Sequence, residues 1–153
     1  LPFAISQGLV FACTAYGGTR MLAIRPDGRG DVTMTRVAWE LQRSTPKRSS
    51  PLPVGGDLYL VSDNGIASCV QASSGEVYWT ERLSGPHSAS PVLANNRVYF
   101  FAENGTTTVI ERGRQFRQLA ENQVSGSIMA TPAFVDRAIL MRTDTHLYCI
   151  TSS

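Results

Sequence analysis

The feature that most constrains this chain is an internal repeat with a period of about 40 residues. A serine or threonine followed by proline occurs at Ser50-Pro51, Ser90-Pro91 and Thr131-Pro132, so the spacings are 40 and 41 residues. An apolar run, a turn and a second apolar run follow each of these pairs. A fixed period of this length is typical of repeat architectures, in which each unit buries its apolar surface against its neighbours.

The runs within each unit predict β-strands. Most of them are rich in β-branched and aromatic residues, and helical periodicity is weak throughout. Asn64-Gly65 and Asn104-Gly105 follow the first apolar run of their units, and we expect type I′ hairpin turns with positive φ at both residues. A last run, such as Glu76–Trp79, completes the unit. Four short antiparallel strands in 40 residues predict one blade of a β-propeller.

The whole chain divides into four such units. The segment Leu1–Ile5 takes the place of the Ser-Pro strand in the first unit, which carries glycine-rich insertions. The last unit lacks its fourth strand, so we expect the carboxy-terminal part of a larger ring. The predicted fold is therefore an all-β propeller segment of 15 strands, with blades at approximately residues 1–45, 50–85, 90–125 and 131–153.

Trp39 and Trp79 are the residues to which we assign a structural docking role. They lie 40 residues apart at the same place in the last strand of two successive units. A ring repeated at one place per blade indicates packing against a neighbouring blade rather than a ligand cage. In the third unit we place Leu119 at that position, where docking would be weaker.

Composition and charge exclude several classes of protein. The 14 basic and 12 acidic side chains give a net charge of +2, too balanced to indicate a nucleic-acid partner. No apolar run approaches the length of a transmembrane segment. The three cysteines, Cys13, Cys69 and Cys149, have no zinc-site spacing, and we expect small buried side chains without a disulfide.

One segment of the second unit resembles a family motif. The stretch Cys69–Trp79 resembles A-x-D-x-x-T-G-x-x-x-W, the tryptophan-docking motif of PQQ-like, quinoprotein-type propeller repeats. Gly75 and Trp79 match it and Ser74 stands for the threonine, whereas Cys69 and Gln71 depart from it. The resemblance extends to the BamB-like propellers of outer-membrane assembly. It implies a ring of seven or eight blades in a periplasmic or secreted protein.

A quinoprotein dehydrogenase of this fold would need PQQ, a calcium ion and an acidic base. The sequence has no adjacent pair of cysteines, and the candidate oxygen ligands Asp63, Glu103 and Asp144 lie in predicted turns. No Gly-x-Ser-x-Gly elbow occurs either. We therefore expect no enzyme activity and neither PQQ nor calcium in this chain.

The candidate ligand-binding face is formed by the connections between blades and the Asn-Gly hairpins, which share one end of a propeller. His87 lies in one connection as a candidate ligand residue or a solvated loop residue, and His146 is expected to be structural within a strand. The remaining candidates on this face are Lys47, Arg48, Asn64 and Asn104.

These observations favour a non-catalytic scaffold or protein-interaction module of an exported protein. Its partner would be another protein or the remaining blades of the same propeller. Two alternatives stay open: part of a PQQ-dependent dehydrogenase whose active residues lie outside this segment, and a binder of carbohydrate or another cell-surface ligand. We also expect self-association through the end blades, around Phe3, Val10 and Ala12 at one end and Leu140, Leu147 and Ile150 at the other.

Overall fold

A computed structural model describes residues 2–152, and the described residues form four antiparallel sheets in chain order. The first blade has four strands: β1 (Phe3–Ser6), β2 (Leu9–Thr14), β3 (Arg20–Ile24) and β4 (Val37–Leu41). The second blade also has four: β5 (Leu52–Val54), β6 (Asp57–Val61), β7 (Ile66–Gln71) and β8 (Val77–Arg82). Leu1, which was expected to open the first strand, lies outside the described residues.

The third and fourth blades continue the same pattern. The third contains β9 (Val92–Ala94), β10 (Arg97–Phe101), β11 (Thr106–Glu111) and β12 (Gln118–Gln123). The fourth contains three strands, β13 (Ala133–Val135), β14 (Ala138–Arg142) and β15 (Leu147–Thr151). Each sheet pairs its strands in sequence order, so the predicted all-β propeller architecture is confirmed. The described residues contain no helix that is long and apolar enough to cross a membrane.

The Ser-Pro segments lie at the inner ends of the blades. Strand β5, which follows Pro51, contacts the equivalent first strands β1 and β9 of the blades on either side. Two hydrogen bonds run between blades at this level: Ser50 N–H donates to Ser90 Oγ at 2.9 Å, and Ser90 N–H donates to Thr131 Oγ1 at 2.9 Å. The hydroxyls that precede Pro91 and Pro132 therefore each accept a backbone donor of the preceding blade.

Three apolar clusters lie between the four blades. The second blade shows why both faces of a blade are apolar, since the side chains of β6 alternate between its two neighbours. Leu58 and Leu60 pack in the cluster with the first blade, whereas Tyr59 and Val61 pack in the cluster with the third blade. All four are fully buried. A single blade cannot bury both faces, so each blade is stabilised by its neighbours.

The two tryptophans dock on the next blade along the chain. Trp39 Nε1 donates a hydrogen bond to the Ala72 carbonyl at 3.0 Å, and its ring lies against Gly75. A Cβ at Gly75 would lie 2.6 Å from that ring, so a side chain there would prevent the close approach. Trp79 repeats the arrangement and donates to the Gly113 carbonyl at 3.3 Å. Both rings are partly buried.

The third blade carries no ring at the docking position. Trp39 pairs with Ala23 and Trp79 with Cys69, and the matching partner of Val109 is Ala120 rather than Leu119. The assignment of Leu119 to this position was therefore wrong by one residue. The turn before β12 is one residue longer than its counterpart in the second blade. The hydrogen bonds that close the two turns show this, since Gln71 N–H donates to Glu76 O in the second blade and the equivalent Glu111 N–H donates to Arg117 O in the third.

The hairpin turns differ from the expected type. Gly65 and Gly105 have φ of 86° and 88°, but Asn64 and Asn104 are not in the left-handed region. Gly65 N–H bonds Ser62 O at 2.9 Å, which describes a type I turn followed by a left-handed glycine. The prediction of type I′ turns was therefore wrong at these two sites. Two positive φ values in succession occur instead at Asn95-Asn96, between the first two strands of the third blade.

The cysteines divide into two environments. Cys13 and Cys69 are buried, and burial raises the pKa of each thiol to about 12, so neither is a nucleophile near neutral pH. Cys149 is exposed on β15, which corrects the expectation that all three are buried. All three are free thiols.

The outward surfaces of the first and fourth blades expose apolar side chains, although not all of those expected. Phe3 and Leu147 are more than half exposed, and Leu140 and Ile150 are also exposed. Val10, by contrast, is partly buried, as is its neighbour Ala12 on the same strand. Self-association through these surfaces stays a prediction.

Replacing Trp79 with alanine should lower the free energy of unfolding by about 3 kcal/mol, at the lower end of the range for large aromatic truncations because the ring is partly buried. The loss would come from the contacts of the ring with Tyr59 and Phe116 of the second and third blades. Urea denaturation of the two chains provides the measurement. The control is Leu119→Ala, which should change the free energy by no more than about 0.5 kcal/mol because Leu119 is exposed. Equal effects of the two substitutions would contradict the docking role.

Candidate functional site: the loop face

One end of the blade array gathers all of the predicted candidate residues, and we call it the loop face. It consists of the connections 44–50, 84–90 and 125–131 together with the turns 62–65, 102–105 and 143–146. The two sets of loops are joined by backbone hydrogen bonds, such as His87 N–H to Asp63 O at 3.0 Å and Glu103 N–H to Pro86 O at 2.7 Å. Connections and turns therefore form one continuous surface.

A carboxylate at the start of each turn holds the connection that leads into its blade. Asp63 Oδ1 accepts hydrogen bonds from the backbone N–H groups of Lys47 at 2.9 Å and Arg48 at 3.3 Å. Asp144 Oδ1 accepts from Ser127 N–H at 2.7 Å. Glu103 accepts from the Ser88 hydroxyl. The carboxylate oxygens that the sequence analysis considered as calcium ligands thus accept hydrogen bonds from the connections instead.

Arg48 joins two blades across this surface. Its Nε lies 3.3 Å from Asp63 Oδ2 in the second blade, and its Nη1 lies 3.1 Å from Glu103 Oε1 in the third. The same Nη1 donates to Ser88 Oγ at 3.0 Å. The guanidinium is more than half exposed, so these ion pairs add little to stability but fix an arginine in one orientation on the surface.

Lys47, Asn64 and Asn104 are exposed at the loop face, in the positions expected of ligand-facing side chains. Asn104 Nδ2 donates to Ser84 Oγ at 3.1 Å, which ties the turn of the third blade to the connection before it. The structure therefore brings Lys47, Arg48, Asn64 and Asn104 to one surface.

His87 departs from both interpretations given by the sequence. It is only 1% exposed, so it is not a solvated loop residue and offers no ring nitrogen to a ligand at the surface. Nδ1 lies 3.1 Å from the Gly85 carbonyl, which can only accept, so Nδ1 carries the proton. Nε2 is buried and has no hydrogen-bond partner among the described residues. Burial lowers the pKa of His87, and the Gly85 carbonyl and Glu103 oppose that shift only in part.

His146 lies just before β15, not within a strand, and its side chain is exposed. Its Nδ1 is 2.9 Å from Thr145 Oγ1, and its ring centre is 5.5 Å from that of Tyr148. The expectation that His146 lies on a strand was therefore wrong, whereas its structural role stays a prediction. Within residues 2–152, no group of three or more His, Cys, Asp or Glu side chains is arranged to hold a metal ion.

Sequence reasoning missed two groups of this face. Ser88, between Arg48 and Glu103, carries no motif that would single it out. Thr45 is 2% exposed, and its hydroxyl has no hydrogen-bond partner within the described part of the chain. A comparison of the connections would have found Thr45, because Gly85 and Gly126 occupy its place in the other two.

Comparisons with known proteins agree with this architecture. The family model described as outer membrane protein assembly factor BamB matches residues 2–81 and 31–151, which together span nearly the whole chain. No curated protein sequence matches the chain significantly.

Solved structures share the fold at low sequence identity. The crystal structure of BamB from Moraxella catarrhalis is 16% identical with a TM-score of 0.71, over 91% of this chain and 42% of that one. The computationally designed Ika4 protein is 13% identical with a TM-score of 0.74, over 99% of this chain and 90% of that one. A europium-containing methanol dehydrogenase is 9% identical with a TM-score of 0.63, over 82% and 24%. The chain thus spans about two fifths of the BamB structure.

Replacing His87 with isoleucine should flatten the dependence of stability on pH. Below about pH 6.5, His87 becomes protonated in the unfolded chain. In the folded chain its lowered pKa keeps it neutral to a lower pH, so the folded state loses stability relative to the unfolded state as the pH falls. Isoleucine is the residue at the equivalent buried position, Ile128. Thermal unfolding between pH 7.5 and pH 5 provides the measurement.

The matched control is His146→Gln, which removes the only other histidine of the chain. Because that ring is exposed, the slope should persist in this variant. A slope that survives in His87→Ile, or disappears in His146→Gln, would contradict the account of the buried histidine.

Proposed function

The chain belongs to the family of PQQ-like propeller repeats described as outer membrane protein assembly factor BamB, and on that premise we propose that it is part of a non-catalytic propeller that binds a protein partner. We place the binding surface at the loop face and the protein in the periplasm or outside the cell. We further propose that the chain holds neither PQQ nor calcium.

The observation that carries this proposal is the fixed charge pattern around Arg48. Its guanidinium is exposed, yet its orientation is set by Asp63, Glu103 and Ser88. Arginine is enriched among the residues that dominate protein interfaces, and a side chain ordered in advance loses little entropy on binding. The backbone hydrogen bonds between connections and turns order the surrounding loops in the same way.

The state of the titratable groups supports a binding role over catalysis. His87 is buried, and its pKa is lowered without any ring nitrogen reaching solvent. Asp63 and Asp144 each accept backbone N–H donors from the loops. A general base or a cation ligand would need its lone pairs free at the surface. The likeness to methanol dehydrogenase rests on 9% identity and speaks for the fold alone.

Site-specific photo-crosslinking in cells tests the location of the surface. A crosslinking amino acid at Lys47 or Asn104 reports on the loop face. The same amino acid at Asn95 or Arg137, which are exposed turn residues at the opposite end of the blades, provides the matched control. We expect one protein to be captured from both loop-face positions and from neither control position.

The captured protein then allows a binding measurement with purified components. Arg48→Glu should weaken its affinity by at least about tenfold, since an arginine at an interface is replaced by a like charge beside Glu103. Arg137→Glu should leave the affinity unchanged. Capture from the opposite end only, no capture from either end, or an affinity insensitive to Arg48 would each refute the proposed surface.

A further inference from the structure

A cavity of about 300 Å³ opens on the loop face between the first and second blades. It lies where the turn before β3, the first connection and the turn between β6 and β7 meet. The side chains that decide its chemistry are Thr19, Ser44, Thr45, Lys47, Asp63 and Asn64. None of the residues assigned to docking or to the inner Ser-Pro hydrogen bonds lines it.

The first connection, residues 44–50, departs from the repeat where the cavity lies. The position of Lys47 is taken by His87 in the second connection and by Ile128 in the third, and both are buried between blades. Lys47 is exposed instead, so it does not fill the space beneath the loop.

A second difference is that the turns pack directly on a glycine in each of the other two connections. Asn104 lies over Gly85, where a Cβ would come within 2.7 Å of its amide nitrogen. Gly126 is covered likewise, by Asp144 and Thr143. Thr45 has a side chain at this place, and Asn64 has no hydrogen bond to Ser44 that would match the one from Asn104 to Ser84.

The lining contains hydrogen-bond donors and one cation that have no partner among the described residues. Lys47 is the only lysine in the chain, and its ammonium forms no ion pair with any residue from 2 to 152. The side chains of Thr19 and Ser44 donate no hydrogen bond within the same residues, and Asn64 uses only its carbonyl oxygen, as an acceptor from Ser62.

The single carboxylate in the lining is already occupied. Asp63 accepts from two backbone N–H groups and shares the Arg48 guanidinium with Glu103, so its charge is compensated in part and most of its lone pairs are engaged. An anion would meet the Lys47 ammonium, with which no carboxylate among residues 2–152 forms an ion pair.

Thr45 supplies a second, independent indication of a ligand. The residue is 2% exposed, and its hydroxyl has no hydrogen-bond partner in the described structure. A buried hydroxyl without a partner is unfavourable, and such groups in native proteins are rare. The Thr45 oxygen is itself shielded from solvent, so a ligand oxygen that enters the cavity beside Lys47 would provide the missing acceptor only when this side chain turns toward the cavity.

We propose that this cavity is a carboxylate-binding pocket, with Lys47 as the countercharge and the hydroxyls of Thr45 and Ser44 as donors to the carboxylate oxygens. One ammonium matches one negative charge, whereas a phosphate dianion would bring a second charge that the lining does not neutralise. The occupant is either a free small acid or the side chain of an aspartate or glutamate. The pocket would bind a free acid even if no protein docked on the same face.

The test is an NMR titration of the chain at constant ionic strength, with two probes. Acetate represents a free acid, and N-acetyl-glutamate N-methylamide presents an acidic side chain without charged termini. Saturable shifts of the backbone amides of Thr45, Lys47 and Asn64 are expected. Binding of both probes assigns the pocket to acidic side chains as well as free acids, and binding of acetate alone assigns it to free acids. Shifts that grow linearly without saturation for both probes would refute the pocket.

Three variants separate the pocket from general charge effects. Lys47→Gln should raise the dissociation constant for acetate about tenfold or more, since a charge-assisted hydrogen bond is lost. Arg137→Gln removes an equal charge at the opposite end of the blades and should leave the constant unchanged. An equal effect of these two substitutions would overturn the proposal.

Thr45→Val tests the hydroxyl, and thermal unfolding distinguishes its two roles. Weaker acetate binding with an unchanged or higher melting temperature supports a hydroxyl that is kept for a ligand. A lower melting temperature with unchanged binding would show that the hydroxyl is structural, and would contradict the proposal.

Discussion

The stacking of each blade on the next is the interaction on which the rest of this structure depends. Strand β6 shows it most plainly, because successive side chains enter opposite cores: Leu58 and Leu60 toward the first blade, Tyr59 and Val61 toward the third. A sheet that is apolar on both faces has no stable exposed form, so its fold and its position in the array are set together. The tryptophan rings of the first two blades reinforce the same contact, and the hydrogen bonds donated by the Ser50 and Ser90 amides reinforce it at the inner ends of the blades.

The loop face takes its order from that stacking. Arg48 can reach Asp63 and Glu103 at once because the second and third blades are held at a fixed separation. The buried position of His87 likewise exists only between two packed blades. Recognition would therefore depend on departures from the repeat. Lys47 occupies the position at which the other two connections have the buried side chains of His87 and Ile128, and Thr45 occupies the position at which they have glycine.

The sequence was sufficient for the repeat, the strands and the position of the two tryptophans, because every blade buries at least one face against a neighbour and the apolar pattern is correspondingly strict. It was insufficient where one residue changes the local geometry. A single added residue before β12 moved the docking position from Leu119 to Ala120. Asn64 and Asn95 both lie in turns between strands, yet only Asn95 takes the left-handed conformation. The burial of His87 and the exposure of Cys149 depend on which blade lies alongside, which no local pattern records.

Native-state hydrogen exchange of the Ser50 amide tests the stacking account most directly. This N–H donates across the gap between blades, to Ser90 Oγ, and belongs to no strand. If stacked neighbours stabilise each blade, the Ser50 amide should open only with the strands, and its free energy of opening should equal that of the buried amides in β6 and β10. Exchange of the Ser50 amide at the rate of an unprotected loop, while β6 and β10 stay protected, would show that the blades hold their structure independently and would contradict the account.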